Sequence, residues 1–257
     1  MADIKTAVAH KPVWTDLAAT DAAAARDFYA KLFGWKVEVN PDPLYGGYAL
    51  AKLGGKDVAG IGPKQMAEQP SAWTVYIGAS DAADIAKKAK AAGGNVLVEA
   101  MPVGDQGSMA IIQDPSGAAL GVWQTQQMAG AQVYDQPNSM GWAELNARGI
   151  DKAKAFYKKV FGWGEKVSDM GESGPPYTEF LLGKESIAGG MEMNPMVPEQ
   201  VPSYWMVYFN VADVDKAFEK AKELGAKEML APQEFPGGRF AIVSDPEGAS
   251  FGLLRTK

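Results

Sequence analysis

Two acidic side chains, Asp16 and Glu144, stand in the same setting 128 residues apart (144 − 16). Asp16 follows Trp14 by two positions in VWTDLAA, and Glu144 follows Trp142 by two in GWAELNA. Strand side chains alternate, so each carboxylate shares a face with its tryptophan. A carboxylate whose pKa is raised by apolar surroundings can act as a general base or pair a cationic ligand. The competing reading is an acid hydrogen-bonded at a strand end or to a neighbouring backbone. That reading is favoured, because no partner acid can be named. Other chemistry is thin. The chain has no cysteine, and its single histidine, His10, precedes the first strand. Thiolate catalysis, Ser-His and Cys-His pairs are therefore excluded, and carboxylates and tyrosines remain. Glu179 reads as a solvated strand residue. Arg239, in the FPGGRFA loop, could clamp an anion but reads better as a surface arginine.

The stretches that must position these acids are a repeat. VWTDLAATDAAAARDFYAKLFGW (residues 13–35) returns as GWAELNARGIDKAKAFYKKVFGW (residues 141–163), with one offset throughout (142 − 14, 156 − 28 and 163 − 35 all give 128). Each copy reads as a strand, a helix with apolar positions at helical spacing (Ala25, Phe28, Leu32; Ala153, Phe156, Val160) and a glycine exit. Thr20 is the expected N-cap of the first helix. SAWTVYIGASD answers SYWMVYFNVAD, and AIIQDPSGAALGVW answers AIVSDPEGASFGLL. Internal repetition of this kind decides the organisation. Turn signals at Gly54-Gly55, Gly93-Gly94 and the DPxG sequences divide the chain into four βαβββ units, spanning about 13–63, 71–125, 140–195 and 203–257. The expected domains are 1–125 and 140–257, joined by a polar linker at 126–139. Residues 1–12 read as a loose arm.

Composition narrows the classes. A chain of 257 residues suits two domains with their own cores. The 25 basic residues are outnumbered by 31 acidic ones, and no basic run offers a surface for phosphates, which disfavours nucleic acid. There is no signal-peptide core and no membrane-spanning apolar run, so a cytoplasmic protein is expected.

The strand–FY-helix–FGW signatures (Phe28-Tyr29 with Phe33-Gly34-Trp35; Phe156-Tyr157 with Phe161-Gly162-Trp163) and the late DPxG turns (Asp114 to Gly117; Asp245 to Gly248) resemble the vicinal oxygen chelate superfamily: glyoxalases, extradiol dioxygenases and bleomycin- or fosfomycin-resistance proteins. The resemblance covers the chain after residue 12. It implies an α+β fold of four βαβββ units, paired into two glyoxalase-like domains whose mixed sheets curl into open barrels with a ligand cup. Helices would cover the outside. Trp14, Asp16, Thr74, Tyr76, Gly121 and Trp123 would then face one cup. Trp142, Glu144, Asn146, Met206, Tyr208, Gly252 and Leu254 would face the other.

Metal-dependent members of that superfamily bind a divalent ion through His and Glu on cup-facing strands. The corresponding positions here are at or beside Trp14, Thr74, Gly121, Trp142, Met206 and Gly252, none of which is a ligand type. A fourth family ligand position offers Glu192 in the second half only. No metal or other cofactor is therefore expected, nor glyoxalase I or extradiol-dioxygenase activity. The cup aromatics suit planar or cationic ligands; the competing reading is that they are core. Gly121, Gly252 and the AGIG and AGGM strand ends are expected to leave room for a ligand. Trp35 and Trp163 are assigned to packing.

The expected function is metal-independent binding of a small planar or aromatic molecule by Trp14, Asp16, Thr74, Tyr76, Trp123, Trp142, Glu144, Met206 and Tyr208, in the manner of drug-sequestering resistance proteins. The alternative is a metal-independent enzyme of lyase, isomerase or oxygenase type acting on an aromatic or polyketide-like substrate. The duplication suggests a monomer or weak dimer.

Overall fold

The structure, a computed structural model, describes residues 9–171 and 174–257. Four βαβββ repeats follow one another. The first comprises β1 (Pro12–Ala19), α1 (Ala22–Phe33), β2 (Lys36–Val39), β3 (Ala49–Leu53) and β4 (Lys56–Pro63). The second comprises β5 (Ala72–Ala79), α2 (Ala82–Ala91), β6 (Asn95–Val103), β7 (Gly107–Gln113) and β8 (Ala119–Thr125). The third comprises β9 (Met140–Ala147), α3 (Ile150–Phe161), β10 (Gly164–Ser168), β11 (Tyr177–Leu182) and β12 (Glu185–Glu192). The fourth comprises β13 (Tyr204–Asn210), α4 (Val214–Glu223), β14 (Lys227–Phe235), β15 (Gly238–Ser244) and β16 (Ser250–Thr256).

Two mixed, eight-stranded sheets result, ordered β2-β3-β4-β1-β5-β8-β7-β6 and β10-β11-β12-β9-β13-β16-β15-β14. Within each repeat the first and last strands pair parallel, as in β1/β4 and β13/β16, and the intervening pairs are antiparallel hairpins. The sheets are not closed, and the edge strands β6 and β14 carry Pro102 and Pro232 and register shifts that blunt further pairing.

Helix ends follow local chemistry. The expected cap, Thr20, is corrected: Asp21 caps α1, its carboxylate accepting from Ala23 N and Ala24 N. A carboxylate one position later reaches both amides, whereas the Thr20 amide donates outward to Ser71 and Glu247. Gly34 and Gly162 end α1 and α3 in the left-handed conformation expected of them.

The chain packs as two compact units, and packing groups the repeats differently from chain order. Among the described residues, one unit holds residues 9–13, Val75–Gly130 and Ala143–Trp205; the other holds Trp14–Thr74, Ala131–Trp142 and Met206–Lys257. In the second of these, α1 of the first repeat packs with α4, and Tyr29 lies among Phe33, Trp35, Trp73 and Phe251. Trp73 Nε1 donates to the Tyr29 hydroxyl (2.9 Å), which donates to Asp245 Oδ2 (2.9 Å). The other unit repeats this with Trp205, Tyr157 and Asp114 at 2.8 and 2.8 Å. Each aspartate spends its second oxygen on its own DPxG turn, accepting from Glu247 N and Ala249 N or from Ser116 N and Ala118 N. The FY and DPxG signatures are thus halves of one buried hydrogen-bonded relay.

Part of the expected loose arm is tied down. Residues 1–8 lie outside the described residues, but His10 N donates to Gly78 O, and Trp163 Nε1 donates to His10 O at 2.8 Å. Asn138 does the same for Trp35 at 2.7 Å in the other unit. Both anchors adopt positive φ (69° and 70°), so the FGW tryptophans are fastened by matching backbone kinks.

Burial, and then the neighbouring Asp245 or Asp114, pushes the Tyr29 and Tyr157 hydroxyls well above the ordinary phenol pKa; burial and Asp16 do the same to Tyr48. Free tyrosine ionises near about 10, so above that pH the unfolded chain binds fewer protons than the folded one. The stabilisation is complete below that value and is lost as pH climbs through the folded pKa values. Urea melts from pH 8 to 11 should show stability falling beyond about pH 10, with a shallower fall in Tyr29→Phe/Tyr157→Phe. A flat profile in both proteins would contradict this.

Candidate functional site

Each repeat has one face covered by its helix and one free of helices. In β5–β8 the fully buried Ala110, Ile112, Leu120 and Val122 form the covered face. Tyr76, Gly121, Trp123, Met109 and Ile111 share the other. In β13–β16 the covered face carries Phe209, Ala241, Val243, Phe251 and Leu253, and the free face carries Tyr208, Phe240, Ile242, Gly252 and Leu254.

The first repeat holds a chain of polar contacts on its free face. Trp14 Nε1 donates to Tyr48 Oη (3.0 Å), and Tyr48 Oη donates to Asp16 Oδ2 (3.3 Å). Tyr48 reaches Asp16 because its ring lies flat across β4. A Cβ on Gly60 would sit 1.8 Å from the Tyr48 hydroxyl, and one on Gly62 2.8 Å from its ring. Trp14 is buried and Asp16 is half-buried. Thr74 is half-buried, and its carbonyl accepts from Thr15 Oγ1.

The third repeat builds the matching pair. Tyr177 Oη donates to Glu144 Oε2 (3.0 Å), and Asn146 Nδ2 approaches Oε1 at 3.5 Å. Glu144 is 8 % exposed. Burial, and next the Glu144 charge, raises the pKa of Tyr204. The sequence placed both acids on a shared face with their tryptophans but missed Tyr48 and Tyr177. Their partnership depends on the β3/β4 and β11/β12 registers, which no local pattern encodes.

The other expected residues fall as follows. The Tyr76 ring lies over Gly121 and the Tyr208 ring over Gly252; a Cβ at those glycines would meet ring atoms at 2.2 and 1.9 Å. Trp123 lies over Gly107 and donates to Met128 O at 2.8 Å. Met206 is buried and Trp142 half-buried. The expectation that Gly121, Gly252 and the AGIG strand end leave space for a ligand is therefore corrected: at Gly60, Gly62, Gly121 and Gly252 the space is taken by tyrosine rings. The glycines are beds for those rings, because any side chain would displace them.

Glu192, the possible fourth metal ligand, instead caps α3, accepting from Gly149 N and Ile150 N at 2.8 and 2.8 Å. Glu179 pairs with Lys166 at 2.7 Å and with Ser186; the Lys166 ammonium and the Ser186 hydroxyl hold its carboxyl below the usual range. Arg239 forks onto Asp215 at 2.8 and 2.7 Å and also reaches Glu234, as a surface arginine would. At the positions where the resemblance puts metal ligands stand two tryptophans, a threonine, a methionine and two glycines. Among the described residues no three His, Asp or Glu side chains converge. This donor set does not fit a Zn, Ni or Fe centre.

The sequence profile of the Glyoxalase/Bleomycin resistance protein/Dioxygenase superfamily matches residues 11–122 and again 139–253. The chain belongs to this superfamily. Superfamily relatives include "Putative glyoxylase CFP32" of Mycobacterium tuberculosis, 38% identical over 95% of this chain and 94% of that protein. "Anthracycline biosynthesis protein DnrV" of Streptomyces peucetius is 36% identical over 96% of this chain and 93% of its own length. Among solved structures the fold resembles the Mn(II)-bound glyoxalase of Novosphingobium aromaticivorans (TM-score 0.63, 17% identity, 95% of this chain and 82% of that one). It also resembles the 2,3-dioxygenase LapB of Pseudomonas sp. KL28 (TM-score 0.65, 14% identity, 96% and 93%). At those identities the structural superfamily members establish the fold alone. No helix among the described residues is long and apolar enough to cross a membrane.

Proposed function

We propose that this superfamily member binds a flat, largely apolar organic molecule on its helix-free sheet faces without a metal, with Asp16 or Glu144 contacting a polar or cationic group. One observation carries the reading: the same carboxylate–tyrosine pair recurs on the free face of both odd repeats, Asp16 with Tyr48 and Glu144 with Tyr177. A hydroxyl donated to a carboxylate oxygen fixes the orientation of the charged group, and aromatic neighbours suit planar or cationic partners. The name of the DnrV relative points to polycyclic aromatic compounds. Antibiotic sequestration or resistance, in a cytoplasmic monomer or weak dimer, is the physiological form of the proposal.

A second reading is a metal-independent enzyme of lyase, isomerase or oxygenase type on an aromatic or polyketide-like substrate. It is favoured by the burial of Glu144 against a phenol, a pairing that can hand over or take a proton.

Charge-matched probes test the first reading. Tryptophan fluorescence should report binding of cationic 9-aminoacridine, weaker binding of neutral acridone, and weakest binding of anthracene-9-carboxylate. Glu144→Gln or Asp16→Asn should cut aminoacridine affinity by about 10- to 100-fold while leaving acridone nearly unchanged, the scale of a charge-assisted contact worth about 1.5–3 kcal/mol. Equal binding of all three probes, untouched by either substitution, would sink the role given to the carboxylates.

A further inference from the structure

The geometry points to the helix-free face of β13–β16 as the platform on which a neutral, fused-ring portion of the ligand stacks, with Phe240 the specificity-determining residue and Phe235 at its edge. This inference rests on the binding function proposed above and says which of the faces takes the flat part of the molecule.

The even repeats are built alike. In β5–β8 the rings Tyr76 and Trp123 are buried, at 6 % and 5 % exposure, each spread over a glycine. What remains half-exposed on that face is aliphatic, Met109 and Ile111, with half-exposed Val98 and exposed Met101 opposite them on β6. In β13–β16 Tyr208 is buried in the same way over Gly252. Here, however, the half-exposed positions are Phe240, where β7 has Met109, and Ile242, where β7 has Ile111. Phe235, at the β14–β15 hairpin, is half-exposed too, where β6 has Val103.

The rings are arranged rather than scattered. Phe240 meets Tyr208 edge-on, with centroids 6.3 Å apart and planes at 62°, and meets Phe235 edge-on at 5.7 Å and 83°. Phe235 folds back over Gly237, where a Cβ would lie 2.5 Å from its ring. Edge-on neighbours fix Phe240 through their rims, and an aromatic ligand gains most from such a fixed ring. Beside Phe240 and Ile242 the face carries no charge; the cation on it, Lys227, pairs with Ser244 at the far end of β15. The pairing partners of Phe240 and Ile242 are Leu230, Gln233, Leu254 and Gly252, whereas Arg239 lies on the other side of β15 in its ion pairs with Asp215 and Glu234. A wall without formal charge around Phe240 suits the neutral rings of a ligand.

Acridone is the probe, because it is flat, fused and neutral. Phe240→Met and Phe235→Val give the fourth repeat the residues of the second, and Met109→Ala is the control on the aliphatic face; thermal melts report folding of all three. The expected result is that Phe240→Met weakens acridone binding about 3- to 10-fold, the scale of one lost aromatic pair. Phe235→Val should weaken it less, and Met109→Ala should leave it unchanged. Acridone binding by the unsubstituted protein that neither Phe240→Met nor Phe235→Val alters would overturn this assignment while leaving the binding proposal standing. Failure of the unsubstituted protein to bind either acridone or 9-aminoacridine would overturn both.

Discussion

Asp245→Ala is expected to lower the free energy of unfolding by about 3–5 kcal/mol, among the larger effects a single substitution produces. The carboxylate accepts from the Tyr29 hydroxyl and from Glu247 N and Ala249 N, so its removal orphans three donors inside the protein. It also removes the buried link between the first repeat's FY helix and the fourth repeat's DPxG turn, leaving the outer one in which Glu247 accepts from Thr20 N. Burial raises the pKa of Asp245 above the ordinary carboxylate range, while its hydrogen bonds to Ala249 N and Tyr29 pull the other way. Tyr29→Phe should cost less, about 1–3 kcal/mol, because the turn keeps its acceptor and only the relay is cut. Urea denaturation of the two variants checks the order. An Asp245→Ala protein as stable as the parent would show that the relay is incidental to folding.

Trp163→Ala should cost about 3–5 kcal/mol through the cavity it leaves. The ring is 1 % exposed and lies among Tyr157, Phe161, Phe180 and Trp205, with its indole N–H on the His10 carbonyl. That cost combines lost aromatic contacts with an orphaned carbonyl on the N-terminal segment. Trp142→Ala, at a half-buried position, should cost clearly less. A thermal-melt comparison that ranked the two in the opposite order would contradict the division between packing tryptophans and face-lining ones.

These expectations show what the sequence carries and what it does not. The repeat offset is a property of the chain, so four βαβββ units, their helices and their glycine exits were legible. Side-chain alternation is local as well, so the shared face of Trp14 and Asp16, which both reach Tyr48, is legible. Partnerships across hairpins were not legible. Tyr48 finds Asp16 only because β3 pairs with β4 in one register, and Tyr177 finds Glu144 through β11 and β12. Glycine was misread for a related reason. An unbranched position means either space or a close neighbour, and at Gly60, Gly121 and Gly252 the neighbour is a tyrosine ring. Phe235 and Phe240 sat in a segment read as a loop around Arg239, which concealed their place on β14 and β15. The Tyr29–Asp245 and Tyr157–Asp114 bonds join residues 216 and 43 positions apart, and only packing between repeats brings them together.

Native mass spectrometry of the protein mixed with 9-aminoacridine, before and after exhaustive treatment with a chelator, tests the central claim most directly. Metal-independent binding predicts a non-covalent adduct of unchanged intensity in both samples, reduced in Glu144→Gln or Asp16→Asn. An adduct that disappears with the chelator and returns with added Zn, Ni or Fe, or no adduct under any condition, would contradict it.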